Sequence, residues 1–176
     1  KYEARLRSTP DKKVLQLMQQ VQAKAALCQQ HEETLLAGAT PDISSAALDD
    51  AWGELDSIAD ADIEKAMKKR MRQLQQHLHD PAVWPAMAAK QESRGRELCV
   101  AAEIMSGADT PAADKAIRMQ QQLNQLQRGL GRMPLTQKDK LQQMQQTDME
   151  FLCLGPLLPL TRSTLQNRLQ HIRQKI

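Results

Sequence analysis

The chain has 176 residues, a net charge of +3 and an aromatic content of only 2%. Its length bounds it to one domain or two small helical layers. The scarcity of aromatic and β-branched runs excludes a sandwich or barrel, and so mild a basic balance does not by itself imply nucleic acid.

Residues 1–9 carry mixed charge and read as a loose start. Thr9-Pro10-Asp11 predicts a helix start with proline at the first helical position. The helix should run to Leu36, with Val14, Leu17, Met18, Val21, Ala25, Cys28 and Leu35 as one stripe. Gly38 should end it. After the turn Ala39–Ser45, a shorter helix carries Leu48, Trp52, Leu55 and Ile58, although Gly53 falls inside it. Asp60 should cap a third helix, Ala61 to Leu78, with Ile63, Met67, Met71, Leu74 and Leu78 facing a core. At about 100° per residue, Lys65, Lys68, Arg72 and His79 fall on the opposite face, with Lys69 beside them.

Asp80-Pro81 and Pro85 open a fourth helix that runs to Ser106. Its face of Ala88, Gly95, Cys99 and Ala102 predicts close helix packing. Gly107 should stop it, and Asp109-Thr110-Pro111 should restart the chain at once. The fifth helix then places Ala112, Ala116, Met119, Leu123, Leu126 and Leu130 on a short heptad seam suited to an antiparallel helix pair. Gly129, Gly131 and Pro134 close it. Thr136 and Asp139 predict a capping box for a sixth helix carrying Leu141, Met144, Phe151 and Leu152. That helix should end at Gly155-Pro156, with Pro159 delaying the next. Thr161 or Ser163 should cap a last helix with Leu165, Leu169, Ile172 and Ile176 on its stripe. Arg162, Arg168, Arg173 and Lys175 flank that stripe, stems on the apolar surface and charges in water.

The expected fold is therefore all-α: about seven antiparallel helices in a bundle or short array. It forms one domain over 1–176, or two sub-layers at 1–79 and 80–176. Thr9-Pro10 with Met18-Gln19-Gln20 and Thr110-Pro111 with Met119-Gln120-Gln121 share their spacing, which is compatible with duplication or with glutamine bias alone. Cys28, Cys99 and Cys153 lie in apolar helical patterns and read as buried free thiols of a reducing cytosol. No signal peptide or apolar run of about 18 residues interrupts the pattern. The first residue is Lys1, so a fragment of a longer polypeptide is expected.

Arg96-Glu97-Leu98-Cys99, Ala102-Glu103-Ile104, Asp109-Thr110-Pro111-Ala112, Arg118-Met119-Gln120 and Leu126 resemble the C-terminal region of a bacterial domain-of-unknown-function family. Leu152-Cys153-Leu154-Gly155-Pro156, followed by Leu165 and Arg168, is similar to that family's ending. Ala25-Ala26-Leu27-Cys28 with Glu32 resembles one of its helices more faintly. The resemblance implies a cytoplasmic piece of a long bacterial protein built from repeated helical segments. It supplies no reaction and no catalytic residue.

The candidate sites each have a plainer counterpart. His77-x-His79-Asp80 could approach a metal, but residues two apart do not share a helix face, and cations at a helix end complement its dipole. Cys28 and His31 could form a nucleophile or half a zinc site; a core cysteine beside a boundary histidine is the simpler reading. Asp49-Asp50 and Glu32-Glu33 should be solvated, their side chains pointing apart rather than converging. Arg128-Gly129-Leu130-Gly131-Arg132 could offer amides to a phosphate, or merely cap a helix. Lys65, Lys68, Lys69, Arg72 and His79 form the candidate basic face. A solvated surface, an acidic partner and phosphate backbones are its three readings; the lack of aromatics disfavours base stacking. The expected function is a non-enzymatic helical scaffold or protein-interaction module, with no catalytic residue, metal or cofactor. The alternative is sequence-independent RNA or DNA binding through the third helix. The expected partner is another protein or the rest of a longer chain, with no membrane and no small-molecule substrate.

Overall fold

A computed structural model of the chain describes residues 11–129 and 134–176. Seven α-helices and no strand occur among the described residues. They are α1 (Lys12–Leu36), α2 (Ser45–Gly53), α3 (Ala61–Gln76), α4 (Trp84–Ser106), α5 (Lys115–Gln127), α6 (Gln137–Leu152) and α7 (Pro159–Lys175). The chain divides into two compact units, the first ending at Val83 and the second spanning Trp84–Ile176.

In the first unit α1 packs on α3. Asp11 caps α1 by accepting a hydrogen bond from the Lys13 amide. Asp11 is thus the cap residue itself; the expected Thr9-Pro10 start and the loose stretch before it lie outside the described residues. Gly38 has φ +84° and the Ala39 amide donates back to the Thr34 carbonyl, the left-handed termination expected of glycine. Ser44 caps α2, which begins at Ser45, and Gly53 is the last residue of that helix rather than an interior one. Leu55 and Ile58 follow it in irregular chain, Ile58 still buried. Asp60 caps α3 through the Asp62 and Ile63 amides. Met67, Met71 and Leu74 are buried on α3 as expected, and so is Leu78, just beyond its end.

In the second unit α4 packs on α5, α6 and α7. A single 3₁₀ turn, Pro81–Val83, precedes α4, and Pro85 is the second residue of the helix. Ala88, Gly95, Cys99 and Ala102 are all buried. A Cβ on Gly95 would lie 2.7 Å from Leu165 Cδ1 and 3.3 Å from Leu154 Cδ1, so any larger residue there would have to displace the Leu165 side chain. Leu98, Cys99 and Ala102 share a core with Met144, Phe151, Leu154, Leu165, Leu169 and Ile172. Thr136 and Asp139 form the capping box of α6.

Three expectations fail here. The chain does not re-enter an α-helix at Pro111; a 3₁₀ turn, Ala112–Asp114, intervenes and α5 begins at Lys115. The expected seam of α5 does not pack. Met119, Leu123 and Leu126 are 65%, 46% and 75% exposed, and Leu130 lies outside the described residues. The inward side instead holds partly buried Ile117 and Gln121, the latter donating to the Glu97 carbonyl. Finally, Pro159 does not delay α7 but opens it at the first helical position, ahead of Thr161 and Ser163. Proline fits there because that N–H would lack an intrahelical partner anyway.

The units share a helix pair. Leu27-Cys28-x-x-x-Glu32 on α1 matches Leu98-Cys99-x-x-x-Glu103 on α4. Each helix then ends near a glycine of positive φ, Gly38 and Gly107. Thr40-Pro41 and Thr110-Pro111 follow, each three residues before the cap of the next helix, Ser44 and Asp114. Met67, Arg70, Met71, Leu74 and Leu78 have the same spacing as Leu165, Arg168, Leu169, Ile172 and Ile176. This internal correspondence differs from the one expected from sequence: Thr110-Pro111 corresponds to Thr40-Pro41, not to Thr9-Pro10.

Candidate functional site

The basic face lies on α3. Lys65, Lys68, Lys69 and Arg72 are all exposed and line one open recess of about 810 Å³ with Asp62, Glu64 and Ala66. His79 does not join them. The helix ends at Gln76, so His79 is exposed in the following turn and outside the recess. Of the two acids in the lining, Glu64 is occupied: it accepts from Lys24 Nζ at 2.9 Å and 3.1 Å and from the Ile58 amide. Lys24 itself is buried, its ammonium 4.4 Å from the Trp52 ring centroid, a cation–π arrangement.

The fifth cation of α3 behaves differently. Arg70 is buried and meets buried Glu32, with Nη2 at 2.5 Å from Oε1 and Nε at 3.2 Å from Oε2. Glu32 is therefore not on a solvated face, as its Glu32-Glu33 neighbourhood suggested. Helical phase places Arg70 beside Met71 on the inward side, where a charge requires a partner. The signal in the sequence was that phase together with the inward phase of Glu32 on the α1 stripe.

The second unit repeats this pair with two further charges. Arg168 donates from Nε and Nη2 to Glu103 Oε1 at 3.0 Å and 2.5 Å, and from Nη1 to Asp114 Oδ2 at 2.6 Å. Arg96 donates to Asp114 Oδ1 from Nε at 2.6 Å and also from Nη2. Asp114 caps α5 by position, yet makes no side-chain cap hydrogen bond, because its carboxylate is held by the two arginines. Burial opposes its ionisation, but hydrogen bonds from Arg96 and Arg168 prevail and hold its carboxyl below the ordinary value. Glu103 Oε2 has no hydrogen-bond partner among the described residues. Neither Arg168 nor Arg162 keeps its charge in water as expected: Arg168 is in this network and Arg162 is buried.

The remaining candidates do not converge. Burial pushes both Cys28 and Cys99 up to about 12, so neither is a thiolate at neutral pH. Burial lowers the pKa of His31. His79 and Asp80 are exposed, and His77 ends α3. No group of three or more metal-ligating side chains occurs among the described residues. Asp49 is exposed and accepts from Gln75 Nε2 at 2.7 Å. Arg128 caps α5 and Gly129 has φ +66°, while residues 130–132 of that loop lie outside the described residues. No described helix is long and apolar enough to cross a membrane.

The feature that sequence reasoning assigned to the interior is the outward face of α5. Met119, Leu123 and Leu126 form a continuous apolar strip at helical spacing, flanked by Lys115 and Gln122 on one side and Gln120 and Gln127 on the other. A recess of about 720 Å³ beside it is lined by Asp109, Thr110, Lys115, Arg118, Met119 and Gln122. Comparison with protein-family models, curated proteins and solved structures finds no match to this chain.

Proposed function

We propose that the chain is a helical scaffold or protein-interaction module, acting without catalysis. The observation that carries this reading is the exposed strip on α5, where three large apolar side chains stand in water at one helical face. Clustered rather than scattered apolar exposure favours an interaction surface. The family resemblance is consistent with it, and implies that the partner is another protein or further segments of a longer chain. A pull-down from bacterial lysate at moderate salt should retain a stoichiometric protein partner. Turnover by the purified chain, abolished by one point change in a cleft, would overturn the reading.

A second reading is supported by the four exposed cations around the α3 recess. It is sequence-independent binding to RNA or DNA phosphates. Replacing Lys65, Lys68, Lys69 and Arg72 with Gln should weaken binding to a short duplex and flatten its salt dependence, by about 0.9 in logarithmic slope per lost phosphate contact. Unchanged affinity would end that reading.

A further inference from the structure

The strip on α5 specifies more than an apolar partner. Its two edges differ. Lys115 and Arg118 lie along one edge and reach the 720 Å³ recess; the other edge is glutamine. Arg118 donates to the Ala108 carbonyl at 2.6 Å and to the Thr110 hydroxyl at 3.0 Å. Both acceptors are uncharged, so the guanidinium is fixed in place without an ion-pair partner among the described residues. Lys115 is exposed at the amino end of the helix, where the dipole adds to its positive field. The nearest acid in sequence, Asp114, is buried and held by Arg96 and Arg168. Asp109 alone lines the recess as an acid, against two cations.

A second copy of this chain is a poor occupant. Residues 115–127 contain no acid, so a two-fold pairing of α5 helices would bring cations without counter-charges. An amphipathic helix with acidic residues beside its apolar face answers both edges. Its apolar residues cover Met119, Leu123 and Leu126, and its carboxylates reach Lys115 and Arg118.

We propose that the outward face of α5 is the docking surface for an acidic amphipathic helix of a partner protein. This deepens the protein-interaction reading above and rests on it. The occupant binds in the manner of a helix in a groove, through anchors spaced at three and four residues.

The test uses the whole chain and a fluorescein-labelled amphipathic peptide with Leu at three- and four-residue spacing and Glu on the flanks. A matched peptide carries Lys in place of Glu. Fluorescence anisotropy should show saturable binding of the acidic peptide and much weaker binding of the basic one. Met119→Glu with Leu126→Glu should reduce affinity about a hundredfold or more, since two apolar anchors are lost. Lys115→Gln should cost about threefold, with weaker salt dependence. All three positions are exposed, so circular dichroism and the unfolding midpoint should stay near the wild type.

Equal binding of the two peptides, or binding that survives the Met119/Leu126 change, would overturn the proposal. So would sedimentation showing a dimer that Leu123→Glu dissociates, because the occupant is then a second copy. If neither peptide binds while a lysate partner is retained by the double variant, this surface is refuted and the general interaction reading survives. A wild-type chain that binds neither peptide and retains no lysate partner would refute both.

Discussion

Glu32 and Glu103 each stand four residues after a buried cysteine on a long helix, and each meets an arginine from a second helix. In the first unit Arg70 reaches both oxygens of Glu32. In the second, Asp114 takes one amino group of Arg168, Arg96 joins from α4, and one oxygen of Glu103 has no hydrogen bond among the described residues. The difference traces to the helix after the Thr-Pro turn. Ser44 spends its hydroxyl on capping α2. Asp114 stands at the corresponding place and spends its carboxylate on two arginines instead. The helix after the turn is thus capped by a side chain in one unit and joined at its start to an ion network in the other. Leu48 of α2 is completely buried, whereas the apolar strip of α5 stands in water.

The largest effect expected from this comparison is on the Arg70–Glu32 pair. Arg70→Met leaves Glu32 buried without a counter-charge and should cost about 3–5 kcal/mol. Hydrogen exchange should show lost protection in α1 and α3. Adding Glu32→Leu should recover much of the loss, because two apolar side chains of similar size can replace a buried pair. A cost under about 1 kcal/mol for Arg70→Met would mean that water already reaches the pair. A second, smaller effect belongs to the second unit alone. Gly95→Val forces side-chain atoms into Leu165 and should cost about 1–3 kcal/mol by overpacking, read from urea unfolding of the whole chain.

The fold was legible where periodicity and caps agreed. Asp60, Gly38, Gly107 and the Thr136–Asp139 box all stand where their chemistry placed them, because local hydrogen bonding determines them. The basic face was legible too, since Lys65, Lys68, Lys69 and Arg72 share one helical phase. The ion network was not. Asp114, Arg96, Glu103 and Arg168 come from two helices and a turn, and no local pattern links them. The α5 seam misled for a related reason. A stripe of Met and Leu reports an amphipathic helix but not which side meets the core, and here Asp114, Arg118 and Gln121 hold the helix from its polar sides.

Acid should separate the two units further. The folded carboxyl of Asp114 titrates below the ordinary value of 3.8. Its stabilising contribution is thus complete above the unfolded value and is lost as pH falls through the folded one. Between about pH 5 and pH 2, the urea midpoint of the wild type should fall more steeply than that of Asp114→Asn, which carries no such titration. Parallel slopes would show that Arg96 and Arg168 do not hold the carboxylate in solution.

The smallest expected effect is the most pointed one. Leu48 and Leu126 lie on the helices that follow the equivalent Thr-Pro turns, and both are leucines on an apolar stripe. Leu48 is fully buried and Leu126 is 75% exposed. If α5 is held by its polar contacts, Met119→Ala and Leu126→Ala should each change unfolding free energy by no more than about 0.5 kcal/mol. A core leucine truncated in the same way loses about 2–5 kcal/mol, which makes Leu48→Ala the natural control. A large loss at Leu126 would place the strip against the chain itself and remove the surface on which a partner could dock. A negligible loss would show that the strip contributes nothing to folding and stays open to a partner.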